Sequence, residues 1–274
     1  MVCCKPGRCA SMSHRSYCMT EIISGKHAVL ELLRAKKRKC YEVLIAQGKK
    51  EKIVTEIEEA AQKISVPVRH LRIEEIASIT NSDKHQGVAA RADSFSFSLL
   101  ADVLNQLKTG DRNGFIVILD GILDPQNLGS LIRTSHLCGV DALILPKDNS
   151  APVSPAAVKA SSGASEYLPI VEITNIVATL KDLKDFGFWA VGAVGESDKN
   201  LYQFDFTGNN YVLVLGGEGK GIRRLVKENC DFLLSIPMFG KISSYNVSVA
   251  GAIFMSEVMR QRLFKNYTNN QKTP

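Results

Sequence analysis

Five short apolar runs beyond residue 114 of this 274-residue chain, at 115–119, 142–145, 188–191, 211–215 and 232–236, restrict its fold most tightly. Each is apolar at successive positions rather than alternate ones, Ser235 in the last run excepted, and stretches of helical periodicity separate them. A strand apolar on both faces needs cover on both faces, and that pattern belongs to a parallel sheet flanked by helices. The expected class is therefore α/β. In such folds ligands bind beyond the carboxyl ends of the strands, so the residues just after each run are where chemistry is expected.

A smaller unit precedes this sheet. Ala28, Val29, Leu32 and Leu33 have helical spacing, and residues 40–46 read as a strand. Ile53, Ile57, Ala60, Ala61 and Ile64 mark an amphipathic helix. A strand at 66–68, a short helix at 73–79 and a loop into a strand at 85–90 complete a β-α-β-α-β alternation. The expected division is a leader at 1–20 without fixed structure, a first domain at 21–93, a linker at 94–112, a main domain at 113–268 and a tail at 269–274. A long apolar helix is expected from about 247 to 264.

Charge separates the two units. Residues 1–93 carry 17 Lys and Arg against 11 Asp and Glu, whereas residues 94–274 carry 17 against 17. The whole excess of +6 thus lies in the first third, which fits a polyanionic partner held by phosphate contacts. Lys36, Lys37, Arg38 and Lys39 follow one another at a helix end. The helix dipole favours cations there, but four in succession point to a nucleic-acid contact.

Other classes are disfavoured. No apolar run reaches the roughly 18–20 residues of a membrane span, and the first twenty residues lack the apolar stretch of a signal peptide. A cytoplasmic location is expected. The seven cysteines (3, 4, 9, 18, 40, 138 and 230) include no C-x-x-C pair, and the spacing of Cys4, Cys9 and His14 suits no zinc finger, so no metal is expected. Cys138 and Cys230 read as small buried hydrophobes.

Three segments follow strand ends. The first runs from Asp120 through Asp124, Pro125 and Asn127 to Arg133, with a helix expected to begin near Asn127. The second is Gly216-Gly217-Glu218-Gly219-Lys220-Gly221. It matches neither a P-loop nor a dinucleotide fingerprint, and its acidic residue disfavours phosphate. The third runs from Ile236 and Met238 to Ser243, Ser244, Tyr245, Asn246 and Val247, where Asn246 is a natural N-cap for the last helix.

Together these segments resemble, in order, the three signature motifs of the SpoU (TrmH-type) RNA ribose methyltransferases of the SPOUT superfamily. The resemblance covers most of residues 21–264. The opening Gly25-Lys26-His27-Ala28-Val29 and closing His85-Gln86-Gly87-Val88 look like that family's RNA substrate-binding domain. It implies a trefoil-knotted parallel-sheet methyltransferase domain behind a small α/β RNA-binding domain, S-adenosyl-L-methionine as methyl donor, and a homodimer with Val249, Ile253, Phe254 and Val258 as interface candidates. The implied reaction is methylation of a ribose 2′-hydroxyl, with a guanosine of large-subunit (23S) ribosomal RNA as the expected target.

Carried over by position, Gly216, Ile236 and Tyr245 would line the cofactor site, with Gly219, Met238 and Val247 close by. Tyr245 departs from the family's usual leucine. Arg133, Asn127, Glu218, Ser244 and Asn246 fall on the catalytic positions, with Asn127 and Glu218 expected to orient the arginine and the substrate. Rival readings are a transfer-RNA ribose methyltransferase, a non-catalytic RNA-binding or ribosome-assembly protein on the same fold and, more distantly, a nicotinamide oxidoreductase.

Overall fold

The computed structural model describes residues 20–110, 112–242 and 244–270, with side chains as far as Phe264. The expectations for Cys3, Cys4, Cys9, His14, Cys18, Ser243 and residues 271–274 lie outside the described residues.

The N-terminal unit contains β1 (Thr20–Ser24), α1 (Lys26–Ala35), β2 (Cys40–Ala46), α2 (Lys52–Lys63), β3 (Val68–Leu71), α3 (Ile73–Thr80) and β4 (Val88–Asp93). Its sheet has the order β1-β4-β2-β3. β4 pairs antiparallel with both β1 and β2, while β2 and β3 run parallel. The apolar stripe of α1, with Ala28, Val29, Leu32 and Leu33 buried, packs with Ile23, Val43 and Ile45 of the sheet. α1 ends at Ala35, and Lys36 turns the chain with a left-handed φ of 54°.

The C-terminal unit begins with α4 (Leu100–Lys108). Within the stretch expected as a linker, this helix inserts Val103 among Ile116, Ile118 and Ile144 of the second sheet. There follow β5 (Phe115–Asp120), α5 (Pro125–Leu137), β6 (Ala142–Pro146), α6 (Pro155–Ala160), a 3-10 turn (Ala164–Glu166) and β7 (Ile170–Ile173). The chain continues through α7 (Ile176–Asp185), β8 (Phe188–Ala193), β9 (Asn210–Gly216), α8 (Arg224–Glu228), β10 (Phe232–Leu234) and α9 (Val247–Asn270). α9 extends through the first two residues of the expected tail.

The six strands form one parallel sheet in the order β10-β8-β9-β5-β6-β7. Successive residues face opposite layers, as the continuous apolar runs required. Phe115, Val117, Leu119, Leu213 and Leu215 join a cluster with Leu128 and Leu131 of α5 and Phe254, Met255 and Val258 of α9. Ile116, Ile118, Val212 and Val214 face Leu180 and Leu183 of α7 and Val226 of α8. The late strand β9 lies at the centre of the sheet, an order compatible with the threading implied by the resemblance.

One apolar cluster includes buried residues of both units. The segment from α6 to the 3-10 turn joins them. On one side a Cβ on Gly129 would strike Ala160, so the glycine lets α5 and α6 approach closely. On the other side Gly163 has φ 86°, and a Cβ there would lie 2.6 Å from Cβ of Glu31 in α1.

Candidate active site

Strand register aligns the loops that carry the site. Asp120 pairs with Gly216, Leu215 with Ala193, and Ala193 with Leu234, so β5, β9, β8 and β10 end along one edge. Asp120 is buried, accepts hydrogen bonds from Arg223 N (2.9 Å) and Nε (2.6 Å), and its carbonyl accepts from Gly217 N (2.8 Å). These bonds fasten the glycine loop after β9 to the end of β5. Neither Arg223 nor the pairing of Asp120 was marked by the sequence, because the two lie 103 positions apart.

Glycine is required at the start of this loop by the chain itself. A Cβ on Gly216 would fall onto the backbone of Gly221 and Ile222, and one on Gly217 onto the carbonyl of Gly121. The loop closes with Gly221 N donating to Gly217 O at 3.0 Å. Gly219 is different, with φ 82° and open space around its Cβ direction. Substituting Gly216 would therefore test whether the loop folds before it tested any ligand contact.

Three of the expected catalytic residues meet. Asp124 caps α5 by accepting from Asn127 N at 3.0 Å, so the helix starts at Pro125, two residues earlier than expected. This places Asn127 in the first turn. Its Nδ2 donates to Glu218 Oε1 at 2.6 Å, and Asn246 Nδ2 donates to the same oxygen at 3.0 Å and to Asn127 Oδ1 at 3.1 Å. Asn246 also caps α9, its Oδ1 accepting from Ser248 N at 2.9 Å. Glu218 and Asn246 are exposed and Asn127 is half-buried. Glu218 has no salt bridge among the described residues, leaving uncompensated negative charge at the strand ends.

Arg133 lies elsewhere. It is exposed farther along α5, where its guanidinium donates to Ser162 Oγ at 3.1 Å rather than to Asn127 or Glu218. The expectation that those two residues orient Arg133 is corrected: the helix turns it toward α6 and the N-terminal unit. Ser162 carried no motif signal, since only the close α5–α6 packing brings it there. Ser244 is exposed on the loop before α9.

For the expected cofactor positions, Ile236 and Val247 are buried, Met238 is half-buried, and Tyr245 is exposed. Phe239 and Ile242 on the intervening loop are largely exposed. The donor set fits a cationic sulfonium nucleoside without phosphates. It combines a glycine-rich backbone edge, apolar side chains and one carboxylate that has amide donors but no salt bridge among the described residues.

The basic cluster divides. Arg38 is buried and is not available to a phosphate. It donates to Glu166 through Nε at 3.1 Å and through NH2, and to Glu21 at 2.6 Å and Asp93 O at 3.2 Å through NH1. Its assignment to RNA is thus corrected: a guanidinium this far from water is retained by its carboxylates. Lys36, Lys37 and Lys39 stay exposed, with Lys37 over the ring of Phe95 and Lys39 over that of Tyr41. Burial lowers the Lys37 ammonium from its ordinary pKa. Among the interface candidates, Phe254 and Val258 are core. Val249 and Ile253 line an open groove of about 540 Å³ beside Ser130 and Thr134.

Known proteins resemble the chain in sequence and in fold. Residues 114–256 match the model of the SpoU rRNA Methylase family, and residues 22–98 that of RNA 2′-O ribose methyltransferase substrate binding. The chain is 38% identical over 247 residues to the 23S rRNA (guanosine-2′-O-)-methyltransferase RlmB of Photorhabdus laumondii, covering 89% of this chain and 99% of that protein. It is 40% identical over 241 residues to the protein of the same description from Xanthomonas campestris, covering 88% and 96%. In fold it resembles the SpoU methyltransferase AviRb of Streptomyces viridochromogenes, solved in complex with AdoMet, at TM-score 0.73 and 21% identity over 89% of this chain and 91% of that one.

Proposed function

The chain belongs to the SpoU rRNA methylase family, and on that premise we propose that it methylates the 2′-hydroxyl of a guanosine ribose in 23S ribosomal RNA. The observation that carries this reading is the contact among Asn127, Glu218 and Asn246. Three segments far apart in sequence converge at the carboxyl edge of a parallel sheet, where such folds bind ligands. A binding protein without chemistry has no need to hold two amides on one exposed carboxylate there.

S-Adenosyl-L-methionine, when bound, would supply an electrophilic sulfonium methyl for the ribose oxygen, with the hydroxyl proton released to solvent water and the thioether S-adenosylhomocysteine left behind. Gly216, Gly219, Ile236, Met238, Tyr245 and Val247 would hold it, and the negative charge of Glu218 would attract its fixed positive charge. Arg133 is the residue assigned to the substrate. A guanidinium keeps its proton in water, so Arg133 acts by binding the phosphate beside the target ribose and stabilising the developing alkoxide. Ser162 positions it. Asn127 and Asn246 orient Glu218, and Ser244 contacts the ribose side of the loop.

Residues 21–93 grip the RNA by backbone and shape, with Lys36 and Lys39 lining a groove of about 540 Å³. The protein works in the cytoplasm as a homodimer whose α5–α9 groove, with Val249 and Ile253, receives a second copy. No helix among the described residues is long and apolar enough to cross a membrane.

Methyl transfer from labelled S-adenosyl-L-methionine to unmodified 23S ribosomal RNA, followed by mapping of the methylated ribose, tests the reading. Turnover by the native chain and its loss in Arg133→Ala, with RNA binding retained, are expected. Full turnover by Arg133→Ala would remove Arg133 from the mechanism. Absence of methylation, with S-adenosylhomocysteine failing to bind by calorimetry, would overturn the enzymatic assignment.

A further inference from the structure

Between the two units, α1 and α5 enclose a cleft of about 380 Å³, within the range of small-ligand sites. Arg133 and Ser162 lie in it, and α1 contributes His27 and Glu31 from the N-terminal unit. His136 and Tyr167 stack in its wall, ring centroids 5.3 Å apart and planes 17° apart. Both rings are exposed, Tyr167 at 41%, although stacked aromatics usually mark a core. Arg133 has no carboxylate partner among the described residues, and Glu31 is already held by Tyr167 Oη at 2.6 Å and Arg34 at 2.9 Å. The cleft therefore offers an unneutralised guanidinium beside an open aromatic platform. That pairing suits an unstacked nucleotide, with phosphate on the cation and base on the rings.

We propose that this cleft receives the target nucleotide of the RNA, its base extruded and stacked on Tyr167 and His136, so that both units hold the nucleotide whose ribose is methylated. The inference rests on the reading of Arg133 as the residue at the reacting ribose. It makes Tyr167 and His136 base-binding residues and explains why a substrate-binding unit packs against the methyltransferase face that carries Arg133. A base drawn from a helix has lost its stacking, and the platform restores it.

The test compares Tyr167→Ala and Tyr167→Phe in the full chain. Base–aromatic stacking is worth enough that losing the ring raises KM for 23S ribosomal RNA by at least about fivefold. S-Adenosylhomocysteine affinity and melting temperature should not move. Tyr167→Phe keeps the ring, loses the bond to Glu31, and should restore KM. An unchanged KM in Tyr167→Ala would overturn the proposal, as would a Tyr167→Phe as impaired as Tyr167→Ala, which would reduce Tyr167 to a tie on Glu31. If the native chain methylated no ribosomal RNA, the parent reading would fail separately. Ligand-detected NMR with guanosine 5′-monophosphate would still decide the cleft, a signal weakened by Tyr167→Ala supporting the platform and an unaltered one rejecting it.

Discussion

Two polar networks in this molecule are built from similar groups and serve opposite ends. One centres on Arg38, whose side chain is 2% exposed, between Glu21 of β1 and Glu166 of the 3-10 turn, the latter 0% exposed. Phe95 N donates to the same Glu21 oxygen at 2.6 Å, so the network also ties down the segment leaving β4. The other is the group of Asn127, Glu218 and Asn246, whose carboxylate is exposed. Burial separates them. Charges removed from water must be matched within the protein, and those left in water remain available to a ligand. Four consecutive cations in the sequence look alike, yet the chain turn at Lys36 sends one inward and leaves three outside.

The largest effect expected from this contrast follows loss of Arg38. Arg38→Met strands Glu166 in the seam between the units, and breaking a buried pair in this way costs about 3–5 kcal/mol. Urea unfolding should show that loss. A change below about 1 kcal/mol, the range of exposed pairs, would mean that the network is hydrated and the contrast false.

Next comes Glu218→Gln, which keeps the shape and a carbonyl acceptor for both amides but removes the charge. Stability should stay within about 0.5 kcal/mol, as for exposed sites, while methyl transfer falls about tenfold or more once the carboxylate charge is gone. Unaltered turnover would assign this network to loop architecture alone.

A smaller effect is expected at the outward cations. Neutralising Lys36 and Lys39 together should weaken RNA binding and flatten the dependence of log K on log salt by roughly one unit for each phosphate that a lysine no longer neutralises. The slope should be measured across a salt titration. An unchanged slope would leave these lysines as a charged helix end.

Legibility in the sequence follows the same line between inside and outside. Interior strands β5, β8 and β9 lie within a residue or two of their apolar runs, because burial on both faces forces continuous hydrophobicity. The missed or displaced strands are at sheet edges. β1 and β7 carry no such run, β3 begins at Val68 rather than 66, and β10 stops at Leu234 rather than 236. An edge strand is paired on one side, so it can be short and carry polar residues such as Glu21 and Glu172. The Asn127–Glu218–Asn246 group was named by motif resemblance, whereas Ser162, Tyr167 and Arg223 could not be. Their roles depend on Gly129 and Gly163 letting α6 wedge between the units, and on the distant bond between Asp120 and Arg223. Neither leaves a local pattern.

The smallest effect lies in a third kind of network, half-buried on the N-terminal sheet, and its sign separates it from the other two. Glu42 of β2 accepts from Arg91 of β4 at 2.9 Å and from Arg69 of β3 at 3.1 Å. The Arg91 hydrogen bond first, and Arg69 with it, hold its carboxyl below the ordinary glutamate pKa against the opposing effect of burial. A depressed folded-state pKa means that the unfolded chain takes up the proton first. The contribution is therefore fully present above the unfolded value near about 4.3 and disappears as pH falls through the lower folded value. Glu42→Gln should be slightly less stable than the native protein at pH 7, by well under about 1 kcal/mol because both arginines are substantially solvated. The difference between the two proteins should shrink toward about pH 3 in paired urea titrations. A gap that instead widened on acidification would show that Glu42 is stabilised as the neutral acid, and that even a half-buried carboxylate here follows burial rather than its cations.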